Sequence, residues 1–159
     1  MSEEFSLHVS FETESQKTLE LLKKIETHFD NEDFEAMGEL LAGSGIDFNA
    51  NILQENIKNT FSQYSDHREY YDGDLVKSLI ETAKENNPQL SIEGKKSHKL
   101  LIEGHDHGGD DFCTFFMALL SILNLSKLSG IARSDNGWSG KWVSSGGKLS
   151  VEFQEAEEW

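Results

Sequence analysis

Residues 112–125 read FCTFFMALLSILNL, and whether this run spans a membrane or fills a core decides the fold. A span needs about 18–20 apolar residues; this run is shorter and carries Thr114, Ser121 and Asn124. It therefore reads as a helix from Asp110 to about Leu125, with an apolar circumference too wide for a surface helix. The stretch in front, GHDHGGDD (104–111), supplies its start. Gly108 and Gly109 turn the chain, Asp110 caps the exposed N–H groups, and Asp111 favours the positive end of the helix dipole.

Outward from that helix, the firmest strand is FSLHVSFE (5–12), where Phe5, Leu7, Val9 and Phe11 alternate with polar residues. Thr13 and Gln16 have capping-box spacing, and Leu19, Leu22, Ile25 and Phe29 recur at helical spacing, which predicts a helix over 15–29. A short second helix, with Phe34, Met37, Leu40 and Leu41 inward, ends at Gly43. Ile52, Ile57 and Phe61 are only loosely periodic, and SQYSDHREYYDGD (62–74) reads as a surface loop. From Asp72 or Asp74 a further helix runs to NNP, where Pro88 forbids continuation. Two short strands, 90–93 and 99–103, follow, and after the apolar helix GIARSDNGWSGKWVSSGGKLSVEFQ supplies up to three more. With no repeat or linker to divide it, residues 1–159 read as one α+β domain. Its form is a two-layer sandwich, an antiparallel or mixed sheet covered by helices.

The 159 residues carry 29 acids against 14 Lys and Arg, a net charge of −15. Residues 1–40 hold 11 acids and 3 bases, so the acid is concentrated at the start of the chain, with a second cluster in the tail. Such a field repels nucleic acid and anionic membrane and steers basic protein surfaces inward, although it also serves plain solubility. The lone Cys113 has no disulfide partner within the chain, and MSEEFSLHVSFETE is no signal peptide, so the expected location is the cytoplasm.

Catalytic signals are sparse. In an extended strand, His105 and His107 would share a face with Cα atoms roughly 6.5–7 Å apart, close enough to grip one metal ion with Asp110 as third ligand. The spacing resembles the opening of the HxHxDH signature of metallo-β-lactamase-like hydrolases, but Gly108 and Gly109 stand where that signature continues. The plainer reading leaves both histidines as loop or strand-end residues, with no metal or other cofactor. Cys113 lies in the first helical turn, yet Phe112, Phe115 and Phe116 around it suit an inert core thiol better than a nucleophile.

The segment GWSGKW (137–142) is similar to the W-G-x-K-W turn before the last strand of a ferredoxin-like family of phage and plasmid proteins, which implies a ferredoxin-like path for the sandwich. In character, a small acidic α+β chain with aromatic candidates resembles the immunity proteins and phage-borne anti-defence inhibitors that neutralise basic nucleases. That resemblance implies a non-catalytic inhibitor bound to a basic, nucleic-acid-handling protein. The residues expected to face such a partner are Glu32, Asp33, Glu35 and Glu39, the tail acids Glu155, Glu157 and Glu158, and Trp138 and Trp142 as hot spots. The alternatives are a metal-dependent hydrolase built on His105, His107 and Asp110, and a housekeeping protein-interaction domain.

Overall fold

The computed structural model describes residues 3–64, 71–95 and 97–154. The chain is α+β, with five helices and a six-stranded antiparallel sheet among the described residues. Strand β1 (Glu4–Glu12) buries Phe5, Leu7, Val9 and Phe11 and turns Ser6, His8 and Ser10 the other way, as the alternation predicts. Four helices follow: α1 (Gln16–Asp30), α2 (Phe34–Ala42), α3 (Asn51–Tyr64) and α4 (Leu75–Asn86). Next come β2 (Gln89–Gly94), β3 (Ser97–His105), α5 (Gly109–Leu120), β4 (Ser126–Ser134), β5 (Ser139–Ser145) and β6 (Lys148–Gln154). The sheet order is β2-β3-β1-β4-β5-β6. Its first four strands follow the split β-α-β-β-α-β path, and β5 and β6 extend that sheet as a meander.

Helix α5 is buried on nearly every side because it lies between β4 and β5 on one flank and α3 and α4 on the other. Gly130 of β4 permits the close approach, since a Cβ there would stand 2.8 Å from Met117 Sδ. The helix ends at Leu120, earlier than the apolar run suggested. Asn124 adopts a left-handed φ of 52°, and Thr18 and Thr13 of the α1 entry donate their hydroxyls to the carbonyls of Leu123 and Asn124. The α1 cap also differs from expectation. Ser15, not Thr13, accepts from Thr18 N at 3.2 Å, while Thr13 accepts from Ser15 N.

Both sheet edges are closed by helix side chains. On β2, Ile92 N donates to Glu26 of α1 at 2.9 Å. On β6, Leu149 N donates to Asn56 Oδ1 and Val151 N to Gln63 Oε1, both from α3. Otherwise unpaired strand N–H groups are thereby satisfied, which removes a template for edge-to-edge pairing.

Candidate functional site

The turn that carries the histidines is built around Asp106. Its Oδ1 accepts from Gly109 N at 3.2 Å, and its Oδ2 accepts from Trp138 Nε1 at 2.9 Å, from Ser134 Oγ and from Asn136 Nδ2. One carboxylate thus ties the start of α5 to the β4–β5 turn. From the other side the buried Asn86, last residue of α4, donates its Nδ2 to the carbonyls of both His105 (2.8 Å) and His107 (2.7 Å). The α5 N-cap is Gly108, with a φ of 68°, and Asp110 and Asp111 lie inside the first turn. The expected Asp110 cap is therefore corrected: the carboxylate that meets an amide at this helix start belongs to Asp106, on a turn that only a left-handed residue such as Gly108 closes.

His105 is the last residue of β3 and His107 N turns back to donate to His105 O, so the extended geometry that would have set the two imidazoles side by side is lost. Among the described residues no group of three or more His, Cys, Asp or Glu side chains is arranged to hold a metal ion, so His105, His107 and Asp110 do not form the alternative ligand set. Cys113 is fully buried, and burial, reinforced by Asp110, Asp106 and Asp111, pushes its thiol well above the ordinary range. A helix N-terminus favours a thiolate, but here desolvation wins.

The two tryptophans offered as hot spots part company. Trp142 is 0% exposed, its Nε1 donating to Thr114 Oγ1 at 3.2 Å, and it presents no surface to a partner. That expectation is corrected, because β5 turns Trp142 toward the helices together with Gly140 while Lys141 and Val143 face outward. Trp138 is half-buried, stacked on Phe153 and bonded to Asp106. Glu155, Glu157 and Glu158 lie outside the described residues.

The acids Glu35 and Glu39 do converge, on a groove of about 960 Å³ between α2 and α4. Its floor is apolar, with Gly38, Val76 and Ile80, and it is tight: a Cβ on Gly38 would meet Ile80 Cδ1 at 2.4 Å. The rim adds Asp72, Asp74 and Glu81, so five acids stand against two bases, Lys77 and Lys84. Asp74 caps α4 by accepting from Lys77 N at 3.0 Å, and Asp72 pairs with Lys77 Nζ at 3.0 Å. That hydrogen bond holds the Asp72 carboxyl below its usual value and the Lys77 ammonium above its own. Lys84 pairs with Glu35. Glu39 and Glu81 have no ion-pair partner among the described residues. Gln54 of α3 fixes the end of the groove, donating to Phe48 O and Gly73 O and accepting from the Tyr71 hydroxyl at 2.9 Å.

Glu32 and Asp33 sit beside this groove in the turn before α2. Asp33 caps α2 by accepting from Ala36 N at 3.1 Å, and Glu32, with a φ of 55°, accepts from Asn87. Sequence reasoning did not bring Asp72, Asp74 and Glu81 together with Glu35 and Glu39 on one groove and missed the Asp106 hub. For Asp72 and Asp74 the signal was present as helix capping, but nothing local in the sequence announces that Asp106 meets the SDNGW turn. In comparisons with protein-family models, curated proteins and solved structures, the chain matches none.

Proposed function

We propose that this protein is a non-catalytic binding protein that receives a basic segment of a protein partner in the groove between α2 and α4. The observation that carries this reading is the acidic rim, five carboxylates to two lysines, in which the exposed Glu39 and Glu81 form no direct ion pair among the described residues, beside an apolar floor. Uncompensated rim charge attracts Lys and Arg at long range and sets the association rate, while desolvated apolar contact on Val76 and Ile80 holds the complex. The net charge of −15 favours the same class of partner. Lys77 and Lys84 are exposed and bridged only to exposed acids, so a competing cation can displace them at little cost. The resemblance in character to immunity and anti-defence inhibitors gives that partner a trade: a nucleic-acid-handling protein, such as a nuclease, blocked by an acidic surrogate for its substrate. What supports a non-catalytic role is the commitment of the side chains otherwise suited to chemistry, with Asp106 saturated by donors and Cys113 buried and protonated.

The test is affinity capture from the native source with the wild-type chain and with Glu39→Lys/Glu81→Lys, followed by stopped-flow association of the purified pair. The wild type should retain a basic protein that the variant loses, and association should slow at least about tenfold between about 0.01 M and 1 M salt, as the screening length falls from ~30 Å to ~3 Å. Equal capture by the variant, or a rate indifferent to salt, overturns the reading.

A further inference from the structure

Among the described residues the helices cover one face of the sheet and leave the other bare. One row of paired residues crosses that bare face through all six strands, in the order Ser91, Leu101, His8, Ile131, Lys141, Glu152. Ile131 of β4 is 46% exposed and Val143 of β5 36%, and Leu101 of β3 is half-buried. A shallow depression of about 320 Å³ adjoins Leu101, between His8, Ser91 and Lys99.

The charge on this face is split. The half made of β2, β3 and β1 turns out Glu4, Glu93 and Glu103 against Lys99, three acids to one base. The half made of β4, β5 and β6 turns out Arg133, Lys141 and Lys148 against Glu152, three bases to one acid. Glu12 and Lys127 pair with each other at 3.3 Å on the boundary. A basic half is unexpected in a chain with net charge −15, where two copies repel each other at long range.

A face with one acidic half and one basic half is complementary to itself. We propose that the bare face is a dimerisation surface, on which a second copy docks face to face about a two-fold axis that runs parallel to the strands between β1 and β4. That axis, unlike one across the strands, lays the acidic half of each copy over the basic half of the other. It is an isologous arrangement, in which each contact occurs twice. Two sheets packed in this way keep their strands nearly aligned, about 10 Å apart. Five strand spacings and about eight residues of strand length give roughly 600 Å² of projected area per copy, near the lower bound for a stable pair. Asn56, Gln63 and Glu26 occupy N–H groups on both sheet edges, which disfavours edge pairing and leaves the face for a second copy. The α2–α4 groove lies on the helical side and stays open, so this inference stands apart from the proposed partner.

The experiment is sedimentation velocity of the full chain at about 100 µM, a concentration that populates a dimer of micromolar Kd. The wild type should sediment as a dimer. Arg133→Glu/Lys141→Glu should give monomers, as should Glu93→Lys/Glu103→Lys, because each sets like charge over like. An equimolar mixture of the two variants should restore the dimer, since every native half then meets an opposite one and the two reversed halves also match. Recovery on mixing cannot come from misfolded chains. The neutral pair Glu93→Gln/Glu103→Gln should weaken the dimer to a lesser degree, and Glu39→Lys/Glu81→Lys should leave it intact. A monomeric wild type, a dimer untouched by both reversals, or monomers that persist in the mixture would each overturn the proposal.

Discussion

Around Asp106 one carboxylate receives donors from Gly109, Ser134, Asn136 and Trp138, whereas along the α2–α4 groove Glu39 and Glu81 are exposed and form no direct ion pair among the described residues. The residue chemistry is nearly the same and the consequence is opposite. A saturated carboxylate holds the backbone of two segments in register and has nothing left to offer a ligand. An unpaired one contributes little to folding and keeps its field for whatever approaches. Acid count alone therefore does not locate a binding surface; the distribution of donors does.

The comparison breaks most sharply if Asp106 is removed. Asp106→Ala leaves the Trp138 indole N–H and the Gly109 amide without their acceptor and unties α5 from the β4–β5 turn. Hydrogen bonds to charged groups contribute about 1.5–3 kcal/mol each and do not add, so the expected loss is about 2–4 kcal/mol. Urea denaturation should show this as a lower midpoint with an unchanged slope. A loss below about 0.5 kcal/mol would reduce the hub to a surface contact.

Much of the scaffold on which these two regions sit was legible. The alternation of Phe5 to Phe11 located β1, the apolar run located α5, and Asp74 and Pro88 bracketed α4. That the sequence left a third helix open where α3 stands has a definite cause. Its buried set is Leu53, Asn56, Ile57, Thr60 and Phe61, a full helical stripe in which two members are polar. Counted as apolar periodicity the stripe looks broken, and Ile52, counted as inward, is 44% exposed. Asn56 is inward because its amide serves the edge of β6, a tertiary demand with no local trace. The site divided in the same way. Glu35 and Glu39 were visible as an acidic helix face, but their convergence with Glu81 across 42 or more residues depends on how α2 packs against α4. Trp142 could be read as hot spot or core from its type alone, and only the β5 register decides for the core.

A second, intermediate effect probes the junction between groove and core. Tyr71 packs on Phe115 of α5 and donates to Gln54, which fixes the groove loops. Burial pushes its hydroxyl up to about 12, opposed by the Gln54 hydrogen bond and assisted by Asp74 and Asp72. A raised value means that the neutral form is favoured on folding. The contribution is thus complete below about pH 10 and is lost as the pH climbs toward 12. With the ring only partly shielded, the loss should be about 1 kcal/mol. Tyrosinate absorbance should show a component titrating near pH 12 in the folded protein that Tyr71→Phe removes. Loss instead of a component titrating near the ordinary value of 10.0 would place this hydroxyl in solvent.

The smallest effect is the one that sharpens the comparison most. Glu39→Gln/Glu81→Gln deletes two carboxylates from the same groove whose acids are proposed to meet a partner, and nothing in the fold depends on their charge. Exposed substitutions away from caps and networks leave stability nearly unchanged, and removing like charge from a chain at −15 relieves some self-repulsion. The expected result is a Tm within about 2 °C of the wild type, displaced upward if at all, with the displacement shrinking as salt screens the repulsion. Differential scanning calorimetry at two ionic strengths measures both quantities. A fall of more than about 4 °C would mean that Glu39 or Glu81 is bound into the fold as Asp106 is, and the groove would then have no unspent charge with which to recruit a basic partner.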